Sequence, residues 1–468
     1  MSGVRSAATA RATALASTLA RSLVPALAAV LALATLPLPT AAMTPVESLA
    51  FVAAGAIQPG TVNRSSLAVR ATYDVHVRLR VAARALNGSV TITAQNVSGG
   101  SIDRLELNTV MPRLGAMKLG TVTVDGTAQP ATVDDQTIIV PLGGILPQGA
   151  TVVVKVVFAA TLRSSLTSSN WLFTRTNGIV DMYRWIPWIS RRTPFDRPNH
   201  GDPFVTPVSP HVRLTIRTDE PMHLASTGDR MSVSADRLTS VYEATNVRDM
   251  TLAASADYRT TSAVVGDNLV RVFYRAGAPA AALLKAATAA LTKLEARLGP
   301  YPYHVLKIVQ TAGGYGMEGP GVVWIPTGVG TANLTYLVTH EVAHQWFYGL
   351  VGNDQAREPF ADEAATDFVA RYVLGLRRAS RCAAAALDKS IYHYSSTCYY
   401  EQLYIGGGNL LDDARKRMGS TAFWTALRGY LTAHRWGLAH TKTLLDALDA
   451  GTPMDLGAWW GSRFPTLY

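Results

Sequence analysis

The 468-residue chain is short of charge and of cysteine, and has no long apolar run after its first 42 residues. Charged residues make up 16% against 48% hydrophobic, a balance that excludes a disordered chain and leaves ample side chains for buried cores. The length calls for two or three domains rather than one. With only Cys382 and Cys398, neither a disulfide-dense scaffold nor a cysteine metal cluster is available. No later stretch is apolar enough to span a bilayer. Lysines and arginines nowhere cluster with interleaved aromatics, so nucleic acid is not an expected partner. Internal repeats are absent.

Residues 1–42 have no acidic residue. Arg5, Arg11 and Arg21 precede the run LVPALAAVLALATLPLP and then TAAM, the layout of a secretory signal cut after Ala42. Pro25, Pro37 and Pro39 count against an uncleaved span. The mature protein is therefore expected to be exported, secreted or associated with the cell envelope. Removing the three arginines lowers the formal charge from +10 to +7. That charge suits an anionic envelope surface or acidic substrates, although a solvated, arginine-rich surface is the plainer reading. In an exported chain Cys382 and Cys398 are expected to pair.

What the chain does have is THEVAHQWFYGLVGNDQAREPFADEAATDF, residues 339–368. His340 and His344 lie one helical turn apart and can face one metal ion. Neutral imidazoles at that spacing suit Zn²⁺. Eighteen residues later Glu363 offers a third ligand from a second helix, leaving a fourth position open to water. Glu341, beside the first ligand, is then free to act as a base. One Zn²⁺ per chain is expected. Asp367, one turn after Glu363, is a candidate partner for a ligand histidine.

In chain order, residues 43–68 read as a flexible lead-in. Alternation from Tyr73 opens a series of short strands (SVTITAQNV, RLELNTV, QTIIVPL, ATVVVKVVFAATL, HVRLTIRTD) that define an all-β domain over 69–260. Trp185 and Trp188 fall in a proline-rich loop there, either lining a cleft or packed beneath it. His200, His211 and His223 lack ligand spacing and read as structural. From 261 to 468 the pattern is mixed and then helical. PAAALLKAATAALTKLEARLG, NLTYLVTHEVAHQWFYGLV and ADEAATDFVARYVLGLRR each read as one helix, followed by NLLDDARKRMG, TAFWTALRGYLTAH and TKTLLDALDA.

Together these motifs resemble the aminopeptidase N family of gluzincin zinc metallopeptidases, which carries H-E-x-x-H, eighteen residues, then Glu. HEVAHQWFYGLVG and FADEAATDF match that pattern. GGYGMEGPGVVW resembles the family's G-x-M-E-N segment, with Gly319 where Asn is usual. YIGGGNLLDDARKRMG resembles its Y-E-K-G segment, with Ile405 and Gly406 replacing Glu and Lys. DMYRWIPWISRR resembles R-W-x-P, with Ile189 to Arg192 replacing an acidic continuation. The resemblance implies a multi-domain α+β fold: an all-β, saddle-like N-terminal domain, then a mainly helical, thermolysin-like catalytic domain with a small sheet. It is to a short form, without the family's further helical C-terminal domain.

The resemblance also implies roles. Glu341 is the general base and Tyr404 stabilises the oxyanion, although Tyr392, Tyr394, Tyr399 and Tyr400 stand nearby. Glu318 receives the substrate's free ammonium, and Gly314, Gly316 and Met317 lie along an extended peptide. The expected activity is removal of N-terminal residues from peptides. A zinc endopeptidase on the same scaffold is one alternative. A binding protein that keeps the fold without catalysis is another.

Overall fold

Between Val69 and Arg80 every second side chain is buried, as alternating apolar and polar residues require when one face of a strand meets a core. The structure, a computed structural model, describes residues 56–167, 171–193 and 204–468. The expected signal at 1–42 and the first part of the lead-in lie outside them, as does His200. Val69–Arg80 pairs antiparallel with Ala85–Asn96 and parallel with Val212–Thr218 inside an eight-stranded sheet. Two four-stranded sheets complete a β-rich half, one centred on Leu252–Ser255 and Ile179–Met182, the other on Ile102–Asn108 and Thr137–Leu146.

Residues 58–64, expected within a flexible lead-in, are pinned to this half. Gln58 bridges Ile145, and the Asp103 carboxylate accepts the backbone N–H groups of Val62, Asn63 and Arg64 at 2.8, 2.6 and 3.0 Å. Trp185 and Trp188 are buried rather than cleft-lining. Trp185 Nε1 donates to the Met250 carbonyl, and Trp188 stacks on Tyr73 at 4.0 Å.

The second half starts with a five-stranded sheet ordered Arg259–Val265, Asn268–Tyr274, Val305–Thr311, Val322–Pro326, Met317–Gly319. Its last strand is an antiparallel edge carrying Glu318. The helix Ala280–Leu298 packs on this half through Leu283, Ala287, Leu291, Leu294 and Leu298, a stripe at helical spacing. The helices Thr331–Ala343, Ala365–Leu374, Gly408–Met418, Ser420–Ala433 and Thr441–Asp449 follow. Buried apolar side chains gather into two clusters: one fills the β-rich half and reaches Val309, Met317, Val322 and Trp324 of the five-stranded sheet, and the other fills the helical half. The order observed is the expected one, β-rich and then helical. Among the described residues no helix is long and apolar enough to cross a membrane.

Arginines tie the halves together, one of them buried. Arg248 donates from Nε to the Tyr348 carbonyl at 2.9 Å, from a second nitrogen to Thr206 O at 3.0 Å, and from the third to Gly437 O. Arg191, in the stretch that replaces an acidic one, pairs with both oxygens of Asp354 at 2.7 and 2.6 Å.

Candidate active site

The helix Thr331–Ala343 ends where the chemistry begins. His340 lies in its last turn and His344 caps it. The sequence suggests a helix running to Val351, but the chain turns back after His344. Gly349 and Leu350 N–H groups return to the His344 and Gln345 carbonyls, each at 2.9 Å, and Tyr348 takes φ +104°. Past this turn Arg248 Nε donates to the Tyr348 carbonyl at 2.9 Å. Glu363 enters from a π-helical turn, Phe360–Ala364, which leads into Ala365–Leu374. A second π-helical segment, Tyr400–Gly407, carries Tyr404. Such wide turns rotate side chains away from regular helical positions and recur at functional sites.

Three donor atoms converge. His340 Nε2 and His344 Nε2 are 3.3 Å apart, and Glu363 Oε2 lies 3.3 and 3.4 Å from them. A tetrahedral ion with bonds of about 2.0–2.1 Å needs ligand-to-ligand edges of roughly 3.3–3.4 Å. Glu363 Oε2 is buried without a hydrogen bond of regular geometry, which is costly for a carboxylate unless a cation faces it. Two imidazole nitrogens and one carboxylate in this triangle fit Zn²⁺. His340, His344 and Glu363 would hold it.

Behind the triangle, His344 Nδ1 meets Asp362 Oδ1 at 2.8 Å, fixing which ring nitrogen faces the other donors. Asp367 lies on the His340 side, 4.0 Å from Nδ1. It accepts from Tyr336 Oη and, at 2.8 Å, from Arg371 Nε. The direct partner of a ligand histidine is therefore Asp362, which the sequence hinted at only through its place next to Glu363. Gln355 was invisible there, and Arg184 appeared only as the first residue of the R-W-x-P resemblance, with no role attached. Gln355 Nε2 donates to Asp362 Oδ2 at 2.7 Å and to Glu318 Oε1 at 3.0 Å, and Arg184 holds the Gln355 carbonyl oxygen at 2.7 Å.

Glu341 is buried, and burial pushes its carboxyl up to about 7, with Glu363 and Asp362 adding to the rise against His340 and His344. Burial also opposes ionisation of Glu363, yet the two histidines hold it well below the ordinary carboxylate range. Tyr404 packs over the His340 ring at 5.6 Å and hydrogen-bonds Glu363. Burial and the nearby carboxylates raise its phenol far above the usual value, so it stays a proton donor.

A cleft of about 470 Å³ opens onto these groups, lined by Tyr315, Gly316, Met317, Glu318, Glu341 and Tyr404 with the three donors. Carboxylate oxygens of Glu318 and Glu341 and a nitrogen of His344 lie within 4.8 Å of one another. Of the other expected residues, Tyr399 and Tyr400 also line the cleft, while Gly314 is exposed outside it. Cys382 and Cys398 are bonded, closing the loop that precedes Tyr400. Glu401 fastens the same loop by accepting from Arg378 and Arg381.

No protein-family model and no curated protein sequence matches the chain. Solved structures do. An M1 zinc metallopeptidase from Deinococcus radiodurans matches with a TM-score of 0.66 and 19% identity over 88% of this chain and 95% of that one. A two-domain M1 zinc metallopeptidase variant bound to L-arginine matches at 0.65 and 18% over 88% and 96%. A variant from Deinococcus radiodurans bound to a Tyr-Ser-Ala substrate matches at 0.65 and 19% over 87% and 95%. At this identity the likeness establishes the fold, that of the two-domain M1 zinc metallopeptidases.

Proposed function

We propose that the chain is an exported zinc aminopeptidase that removes N-terminal residues from peptides. The observation that carries this reading is the 3.3–3.4 Å triangle of His340, His344 and Glu363, with Glu341 and Glu318 beside it. One Zn²⁺ per chain, when bound, supplies Lewis acidity toward a water and a peptide carbonyl. Glu341 accepts the proton of the attacking water and passes it to the leaving amine. Tyr404 donates to the carbonyl oxygen as charge develops there. Glu318 receives the substrate ammonium, and the edge of Met317–Gly319 runs alongside the peptide. The peptide and the amino acid held by two structural neighbours support peptide substrates for this chain. The leader at residues 1–42 supports export and residence outside the cell or at its envelope.

The test is purified, zinc-supplemented protein on a panel of aminoacyl fluorogenic substrates, each free and N-acetylated. Free substrates should be cleaved, and acetylation should cost about tenfold or more in kcat/KM. Equal cleavage of both forms overturns the aminopeptidase reading in favour of an endopeptidase. Folded, zinc-loaded protein that cleaves neither favours a binding protein.

A further inference from the structure

Gln355 lies in the loop after the zinc-site helix and is 4% exposed. Its amide makes three contacts, each to a different buried group. One N–H points to Glu318 Oε1 (3.0 Å), the other to Asp362 Oδ2 (2.7 Å), and the carbonyl oxygen accepts from Arg184 (2.7 Å). Ionised carboxylates accept hydrogen bonds and cannot donate them. The reverse amide orientation would set its oxygen against two carboxylates and its NH₂ against a guanidinium. The orientation is therefore locked from three sides. Arg184, 3% exposed, is itself held by Thr206 Oγ1 at 3.2 Å and sits over the Tyr348 ring, so the lock is anchored in both halves of the fold.

The two carboxylates that share this amide do different things. Asp362 Oδ1 holds Nδ1 of His344, a zinc ligand. Glu318 faces the cleft and, in the reading above on which this inference rests, receives the substrate ammonium. We infer that Gln355 is a positioning residue that sets the ammonium-receiving carboxylate and the metal ligand His344 from one amide group. Zinc affinity and selectivity for a free amine then depend on the same side chain, although Gln355 touches neither zinc nor substrate. A glutamine that merely satisfied buried acceptors would matter for stability and for nothing else.

The experiment compares the full chain with Gln355→Met and Gln355→Glu. Methionine keeps the volume and removes both donors. Glutamate keeps the shape and the Arg184 contact, so it reads the same point if the methionine variant folds poorly. Zinc affinity is measured by chelator competition, and KM and kcat at saturating zinc on free and N-acetylated substrates. Zinc affinity should fall roughly 10- to 100-fold. KM for free-amine substrates should rise about tenfold with a smaller change in kcat, while acetylated substrates are little affected. Wild-type zinc affinity in a folded variant overturns the inference, as does an equal loss on both substrates with KM unchanged. A wild type that ignores acetylation would instead remove the aminopeptidase reading and the amine half with it, and the zinc measurement would still judge the link to His344.

Discussion

The α-carbon of Gly316 lies against the carboxylate of Glu341: a methyl group on it would sit 2.2 Å from Oε1 and 2.7 Å from Cδ. The Gly316 loop and the carboxylate proposed as the base thus share one van der Waals surface, and only a hydrogen fits between them.

Gly316→Ala should therefore push the base out of place while leaving the zinc donors alone. A displacement of about 1 Å at a reacting group costs on the order of 10²-fold in rate. Turnover should fall by about that factor, with zinc content and Tm near wild type. Steady-state kinetics beside metal analysis checks this, and unchanged kcat would show that Glu341 has room to spare.

Metal removal should act on both activity and stability. Chelation should abolish turnover and lower Tm, because Glu363 Oε2 is left buried without its cation. Added Zn²⁺ should restore both, at about one ion per chain. Calorimetry with and without chelator measures it, and folded protein that binds no zinc at neutral pH would refute the metal assignment.

The proton acceptor and the oxyanion donor should separate cleanly. Glu341→Gln should keep zinc and lose on the order of 10²-fold or more in kcat. Tyr404→Phe should keep zinc and lose about 10²–10³-fold. Tyr399 also lines the cleft and hydrogen-bonds Tyr404. Tyr399→Phe should cost less than about tenfold, since it acts on Tyr404 rather than on the substrate. The reverse ranking would move the oxyanion role to Tyr399.

Arg248→Met should weaken the join between the halves. Three carbonyls lose their donor, and an unsatisfied buried group costs about 1–3 kcal/mol. A loss of about 2–5 kcal/mol in chemical denaturation is expected, and a change under about 0.5 kcal/mol would show that water replaces the guanidinium.

Local patterns were legible in the sequence, and long-range ones were not. Alternation over Val69–Arg80 and the His340–His344 spacing are properties of neighbouring residues, so periodicity exposes them. The contact of Arg248 with the Tyr348 carbonyl joins residues a hundred positions apart and leaves no local mark. Gln355 sits in GNDQAREP, a loop without period, where nothing distinguishes it from a solvated glutamine. Asp362 stood within FADEAATDF without a role of its own, because nothing local tells that it, rather than Asp367, reaches a ligand histidine.

Gly319 carries the last prediction, because sequence comparison makes it look like a loss. A glycine in place of the family's Asn suggests a loosened loop. In the fold Gly319 is buried, and a β-carbon there would lie 2.4 Å from Thr251 Oγ1, 2.7 Å from Thr251 Cβ and 3.0 Å from the Val322 carbonyl oxygen. Gln345 brackets the same strand end, donating to Gly319 O at 3.1 Å and accepting from Gly321 N at 2.8 Å. Thr251, held by Asp249 at 3.0 Å, thus occupies the space a side chain at 319 would need. Gly319→Ala should overpack this contact and destabilise by about 1–3 kcal/mol. Thr251→Gly removes both of its crowding atoms, so the double variant should recover at least about 1 kcal/mol relative to the sum of the single changes. Additive effects would mean that the Val322 carbonyl, not Thr251, sets the limit. A stabilising Gly319→Ala would mean that this strand end is loose after all.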